Sequence, residues 1–194
     1  MNDLKFDRAE LPVAYSMVKL AKQTEEPLQA YMCYWIAFNN IYNEIARRRS
    51  SWFHYEKPRI AQARLAFTPE LKHALIQDAG VEYFVNRAPS YWHAFIESAE
   101  GTKPNGVLNV GTTRGSSRVK WSGINVDLYQ RYPEGDLSDV EVNMLVEEIV
   151  GVLYTVRNNL FHGDKQAYNE NELEVVRNAL PLLSIIVESF MWQD

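Results

Sequence analysis

The sequence of 194 residues contains one cysteine, Cys33, which excludes an intrachain disulfide and any zinc site built on several thiolates. Its longest unbroken apolar runs, such as Tyr31–Phe38, are far shorter than the roughly 18 residues that indicate a membrane span. The opening residues MNDLKFDRAE mix both charge signs and lack the apolar core of a secretory signal. These absences predict a soluble cytoplasmic protein without a membrane association.

The charge balance also lacks a strong basic excess. The chain has 20 lysine and arginine residues and 25 aspartate and glutamate residues, a formal net charge of −5, which excludes a histone-like polycation. Hydrophobic residues make up 46% and aromatic residues 12% of the chain, enough for a packed core and against global disorder. Length and composition together predict a single domain over residues 1–194.

Two helices are predicted in the first quarter of the chain. The shorter covers residues 11–23, and a long helix follows from Pro27, whose missing N–H would have no partner in a first helical turn. Apolar residues in the long helix recur at steps of three and four, which places them on one face. That face consists of Leu28, Tyr31, Trp35, Phe38, Tyr42 and Ile45.

Two further helices are predicted in the last third. Ser138 and Glu141 have the spacing of a capping box, and Gly163 supplies a C-terminal stop for the helix that they open. The last helix is predicted after Asn169, and Pro181 inside it is expected to kink or break it. The apolar faces are Val142, Leu145, Ile149, Val152, Val156 and Leu160 in the first helix, and Leu173, Val176, Leu180, Leu183, Val187 and Phe190 in the second.

The middle of the chain divides into two parts. The pattern of residues 56–99 predicts shorter helices that are separated by proline and glycine residues. Residues 100–135 are rich in glycine and polar residues, which predicts a long loop, with a short hairpin around residues 118–126. The fold class predicted from these patterns is all-α, an antiparallel helical bundle with a long Gly-rich insertion at about 100–135.

A short motif ends the helix that Ser138 opens. Residues 156–165 read Val-Arg-Asn-Asn-Leu-Phe-His-Gly-Asp-Lys. This segment resembles the signature of the HEPN superfamily (higher eukaryotes and prokaryotes nucleotide-binding domains). That signature is an Arg, usually followed by a polar residue such as Asn, then three more residues and a His. Arg157, Asn158 and His162 occupy those positions.

The spacing of this motif is a weak signal by itself, because Arg49 and His54 have the same separation. Only the later copy has Asn directly after Arg, Gly directly after His, and an amphipathic helix before it. Residues 34–43 are also similar to the long early helix of the family, so the resemblance covers residues 11–48 and 138–192. The earlier copy is interpreted as a coincidence or as a basic helix end near the substrate path.

The resemblance implies a chemistry that suits these residue types. In catalytic members of the family, a ribose 2′-OH attacks its neighbouring phosphate without a metal or other cofactor. His162 would move a proton near neutral pH, Arg157 would stabilise the charge on phosphorus with its planar guanidinium, and Asn158 would orient His162 or a phosphate oxygen. In a structural interpretation, Arg157 and His162 only complement the C-terminal end of the helix.

Helix geometry restricts how the two residues meet. Residues five apart on an ideal helix differ by roughly 140° around its axis, so Arg157 and His162 would not share a face. They converge if the helix ends near Phe161 and the turn at Gly163 brings His162 back, or if two chains each contribute a motif. The resemblance implies the second arrangement, a homodimer with both motifs facing across a two-fold axis.

The remaining site predictions concern RNA binding and support. Residues 101–126 carry four basic side chains and no acidic one, and aromatic residues nearby offer surfaces on which unpaired bases stack. A solvated loop and a solvated helix end explain these basic residues equally well. For Asn39 and Asn43, which are predicted to support the motif, an ordinary exposed helix face is an equally good explanation. The predicted RNA contacts are Lys165, Arg114, Arg118, Lys120, Trp121, Arg47 and Arg48, and the predicted supporting residues are Asn39, Asn43 and Asn159.

Two functions follow from this pattern. The leading one is a metal-independent endoribonuclease of toxin or antiphage-defence type, with an antitoxin or defence-system protein as a possible partner. The alternative is a non-catalytic HEPN-like module that binds a nucleotide, an RNA or a protein. The chain departs from many toxins of the family at Asp164, where they carry a tyrosine that their antitoxin modifies. His73 and His93 lack further ligands at a suitable spacing, so no metal site is predicted.

Overall fold

The computed structural model describes residues 4–49, 55–86, 124–161 and 170–192, and within these ranges the chain is helical with no strand, as the predicted all-α class requires. A 3₁₀ turn at Tyr132–Glu134 follows the sixth helix. The helices are α1 (Pro12–Gln23), α2 (Pro27–Arg48), α3 (Glu56–Arg64), α4 (Pro69–Ile76), α5 (residues 79–86), α6 (Val126–Arg131), α7 (Asp139–Phe161) and α8 (Glu170–Ser189).

Helix α2 is the central element. It packs against α1, α3 and α8, and its predicted apolar face is buried except for the half-buried Leu28. A second face of small and aromatic residues, which includes Cys33 and Tyr34, is buried as well. The rings of Trp35 and Tyr42 both pack edge-on against Phe38, at centroid distances of 5.7 and 5.3 Å. The core therefore fixes the positions of the aromatic side chains along α2.

Helix α7 begins with the predicted capping box. The backbone N–H of Ser138 donates to Glu141 Oε2 at 2.8 Å, and the N–H of Glu141 lies 3.4 Å from Ser138 Oγ. Four members of the predicted apolar face are buried, and the other two are half-buried and pack against the core. The cap and the apolar face together determine where α7 begins and which side faces the core.

Helix α8 continues through Pro181, so the predicted break is wrong, while the alternative of a kink stays a prediction. Proline has no N–H to donate to the carbonyl of residue 177, and its ring crowds that carbonyl. Pro181 lies on the exposed side of α8, whereas Val176, Leu183 and Val187 on the opposite side are buried. Burial of that apolar face outweighs the loss of one hydrogen bond, so the helix continues.

The predicted loop over residues 100–135 is wrong at its C-terminal end. Residues 126–134 are helical, and Val126, which was assigned to a hairpin, begins α6. Asn125 caps this helix by accepting a hydrogen bond from the N–H of Leu128 at 3.2 Å, and Leu128 is buried. The prediction failed because the composition of the segment is typical of a loop, whereas the helix depends on one Asn cap and one buried leucine. The rest of the predicted insertion, up to residue 123, lies outside the described residues.

Candidate functional site

Arg157 lies where the C-terminal part of α7 approaches α2 and α3. It follows the buried Val156 by one position, about 100° around the helix, which places it at the edge of the core. Its Nη1 donates to Asn158 Oδ1 at 2.8 Å and lies 3.4 Å from Glu56 Oε2. The guanidinium carbon is 5.8 Å from the centre of the Trp35 ring. Three helices thus contribute to the environment of Arg157.

Glu56 connects Arg157 to the core of the protein. Its Oε1 accepts a hydrogen bond of 2.6 Å from the hydroxyl of Tyr42, while Oε2 faces Arg157. The side chains of Arg157 and Glu56 are 23% and 19% exposed, so both are sheltered but reachable from solvent. Burial, and next the hydrogen bond to Glu56, raise the pKa of Tyr42 above its ordinary value, which keeps its hydroxyl a donor. We call Trp35, Tyr42, Glu56, Arg157 and Asn158 the Arg157 cluster.

The predicted supporting residues Asn39 and Asn43 lie on α2 near this cluster. Asn43 Nδ2 donates to Asn39 Oδ1 at 2.6 Å, and Asn43 Oδ1 accepts a hydrogen bond from Nη1 of Arg59 on α3. The guanidinium of Arg59 lies 6.0 Å from the centre of the Tyr42 ring. Asn43 therefore links α2 to α3, the helix that carries Glu56, and Asn39 holds Asn43 from the preceding turn of α2.

Among the described residues, two further cations lie near the Arg157 cluster. Lys57 Nζ lies 5.4 Å from the centre of the Tyr154 ring, which in turn lies 6.2 Å from the ring of Trp35. Lys57, Arg59 and Arg157 bring three positive charges to this region, and Glu56 brings one negative charge. Although the whole chain has a net charge of −5, these three cations lie close to one another at α3 and α7, and cations placed together attract anions.

Arg47 and Arg48 form a separate arrangement at the end of α2. Arg47 Nε and Nη2 donate to Glu44 at 2.7 and 2.6 Å, and Arg48 Nε donates to the same carboxylate at 2.8 Å. Arg48 also pairs with Glu10, and its guanidinium carbon lies 4.5 Å from the centre of the Phe6 ring. The structure thus gives these predicted RNA contacts intramolecular acidic partners, which offset part of their charge.

Several predicted site residues lie outside the described residues. They are His162, Lys165, Arg114, Arg118, Lys120 and Trp121, and the side chain of Asn159 belongs with them. Helix α7 is described through Phe161, so the convergence of Arg157 and His162 stays a prediction. The same holds for the basic loop as a path for RNA and for the homodimer.

Sequence reasoning missed most of the surroundings of Arg157. Trp35 and Tyr42 were assigned to the apolar face of α2, and Glu56 and Lys57 were assigned no role. One signal was present: Trp and Tyr at core positions need partners for their polar atoms. Tyr42 finds Glu56, whereas Trp35 Nε1 is buried with no hydrogen-bond partner in the structure described here.

A metal site and a membrane-spanning helix are both absent from the residues that the structure describes. In those ranges no group of three or more His, Cys, Asp or Glu side chains is arranged to hold a metal ion. No helix described there combines the length and the apolar character that crossing a membrane requires.

Comparisons with known proteins identify no relative of this chain. No model of a protein family matches its sequence, and no characterised protein and no solved structure matches it either.

Proposed function

We propose that this chain is a metal-independent endoribonuclease of toxin or antiphage-defence type. In this proposal, Arg157, Asn158 and His162 act as the motif of a HEPN-like nuclease. The proposal starts from the resemblance of residues 156–165 to the family signature, and it gains support from the environment of Arg157.

The single observation that carries the proposal is the environment of the Arg157 guanidinium. The group is sheltered, contacts Asn158, Glu56 and the face of Trp35, and lies five residues before His162. A planar cation fixed in advance is the kind of donor that stabilises charge developing on a phosphate, because it need not reorganise during the reaction. Lys57 and Arg59 nearby strengthen the attraction for a polyanion.

The proposed reaction moves two protons. The 2′-oxygen forms a bond to phosphorus while its proton passes to a neutral imidazole, and the bond from phosphorus to the 5′-oxygen breaks as that oxygen receives a proton from an imidazolium. The products are a 2′,3′-cyclic phosphate and a 5′-hydroxyl. His162 from each of two protomers would supply the base and the acid, and Arg157 would stabilise the pentacovalent phosphorus.

The test compares histidine variants in EDTA. Purified protein is incubated with mixed-sequence RNA, and the ends of the products are identified by mass spectrometry. We expect cleavage by the wild type and by His54→Ala, which changes the other Arg-x4-His copy, and none by His162→Ala. An inactive wild type, equal cleavage by His162→Ala, or cleavage that requires added divalent metal would each contradict the proposal.

The second candidate is a non-catalytic HEPN-like module that binds RNA, a nucleotide or a protein. The contact between Arg157 and Glu56 favours it, because a cation facing a carboxylate is also a common structural arrangement. In the same experiment, an inactive wild type that still binds RNA or nucleotide, measured by fluorescence anisotropy, would support the module.

A further inference from the structure

We infer that Glu56, held by Tyr42, is a positioning residue that orients the Arg157 guanidinium for phosphate. This inference rests on the proposed function and adds to it a residue outside the motif. Glu56 lies on α3, 101 positions before Arg157 in the sequence, and nothing in the motif indicates it.

Tyr42, which is buried in the core, holds Glu56 in position through a hydrogen bond. The Tyr42 ring is buried and packs edge-on against Phe38 at 5.3 Å, so its hydroxyl has little freedom. That hydroxyl donates to Glu56 Oε1 at 2.6 Å, which fixes one oxygen of the carboxylate and turns the other toward Arg157. A charge-assisted hydrogen bond of this length is among the strong ones.

Glu56 and Trp35 contact Arg157 from helices other than its own. Its side chain is long and rotatable, and Asn158, as the next residue on the same helix, moves together with it. Glu56 comes from a different helix and therefore fixes the guanidinium relative to the rest of the fold. The distance from Nη1 to Oε2 is 3.4 Å, whereas a strong guanidinium–carboxylate hydrogen bond measures about 2.7–2.9 Å. This contact orients the cation less tightly than a strong pair would.

The chain contains a matched control for this arrangement. Tyr34, also on α2, donates to Glu188 Oε1 at 2.6 Å, and Glu188 Oε2 lies 3.0 Å from Nζ of Lys22. We call Tyr34, Glu188 and Lys22 the Lys22 cluster. It repeats the order tyrosine, carboxylate and cation on α2, α8 and α1, without a residue of the motif. Variants of Glu188 and Tyr34 therefore reproduce the chemical change without touching the proposed site.

The experiment measures RNA cleavage in EDTA by the wild type, Glu56→Gln, Tyr42→Phe, Glu188→Gln and Tyr34→Phe. We expect Glu56→Gln to lower kcat about 10- to 100-fold, because small errors in placing a catalytic group have effects of this size. KM should stay within about threefold, since the cation itself remains. Tyr42→Phe should lower kcat by a smaller factor, and both control variants should match the wild type.

Two further readouts separate positioning from other roles. The pH profile of kcat should keep its shape in Glu56→Gln, whereas loss of its acidic limb would identify Glu56 as the base and overturn the inference. The ¹⁵N NMR signals of the Arg157 side chain should show slow rotation about the Cζ–Nη bonds in the wild type. Rotation should be faster in Glu56→Gln and Tyr42→Phe and unchanged in the two controls.

The outcomes distinguish the two proposals. An active wild type with equal kcat in Glu56→Gln and Glu188→Gln overturns the inference and leaves the nuclease intact. An inactive wild type overturns the nuclease, and the NMR signals then decide whether Glu56 orients Arg157. If Glu56→Gln fails to fold, Tyr42→Phe, which keeps both charges, decides by the same measurements.

Discussion

The Arg157 cluster and the Lys22 cluster have the same chemistry but end in different cations. In both, a buried tyrosine of α2 donates to one oxygen of a glutamate at 2.6 Å, and the other oxygen faces a cation. The Lys22 side chain is 55% exposed and its glutamate 34% exposed, against 23% and 19% in the Arg157 cluster. The Lys22 cluster ends in an ammonium group at the surface. The Arg157 cluster ends in a sheltered guanidinium beside an indole ring.

This difference shows which part of the arrangement suggests a function. The tyrosine–glutamate link occurs twice in the part of the chain that the structure describes, so by itself it indicates only that two helices are tied together. A guanidinium presents planar, directional donors and stacks on aromatic rings, while an ammonium group is a compact, strongly hydrated point charge. The identity of the cation, its shelter and its place in the motif therefore distinguish the proposed site from a structural link.

The largest expected effect comes from exchanging the cation in each cluster. Arg157→Lys keeps the positive charge but removes the planar fork, and we expect RNA cleavage in EDTA to fall by about 100-fold or more. Lys22→Arg should change cleavage by less than twofold. Single-turnover kinetics with a labelled RNA measure both. Full activity in Arg157→Lys would contradict the role given to the fork.

A smaller effect is expected on stability. Double-mutant cycles with Tyr→Phe and Glu→Ala, followed by urea denaturation, measure how strongly each tyrosine couples to its glutamate. We expect a coupling free energy of about 1.5–3 kcal/mol between Tyr42 and Glu56, the range for hydrogen bonds to charged groups. For Tyr34 and Glu188 we expect about 1 kcal/mol, because water replaces the lost partner more easily at the more exposed glutamate. Equal couplings would show that shelter does not distinguish the clusters.

The features that the sequence predicted correctly are local in the chain. The capping box at Ser138, the starts of α1 and α2 and the buried face of α2 depend on residues within a few turns of one another. Capping residues and an N-terminal proline affect backbone groups within one turn, and a spacing of three and four residues places apolar side chains on one face. A pattern in the sequence is therefore enough to find these features.

The surroundings of Arg157 could not be predicted because they are non-local. Tyr42, Glu56 and Arg157 lie on three helices, and no spacing rule connects them. Arg157 and Asn158, which the motif places side by side, are hydrogen-bonded, and their role in a site stays a prediction. The roles of Asn39 and Asn43 depend on Arg59, whose approach to α2 follows from helix packing rather than from any pattern in the sequence.

A third carboxylate extends the comparison to a purely local arrangement. Glu44 pairs with Arg47 and Arg48, three and four residues later on the same helix. The hydrogen bond from Arg47, followed by that from Arg48 and the charges of both arginines, lowers the pKa of Glu44 from 4.5 to about 2, although partial burial opposes the shift. A lowered carboxyl pKa means that the unfolded chain binds the proton more readily. The resulting stability is present above about pH 4.5 and is lost as the pH falls toward 2.

The smallest expected effect is therefore the acid dependence of this local arrangement. Because the arginines are substantially exposed, we expect Glu44 to contribute no more than about 1 kcal/mol. The difference in unfolding free energy between the wild type and Glu44→Gln should shrink between pH 5 and pH 2, and NMR titration of the Glu44 carboxyl should give a midpoint clearly below 4.5. A midpoint near 4.5 would mean that these ion pairs do not persist in solution. Arg47 and Arg48 would then be available to RNA as the sequence predicted, and a second anion-binding surface would have to be considered beside the Arg157 cluster.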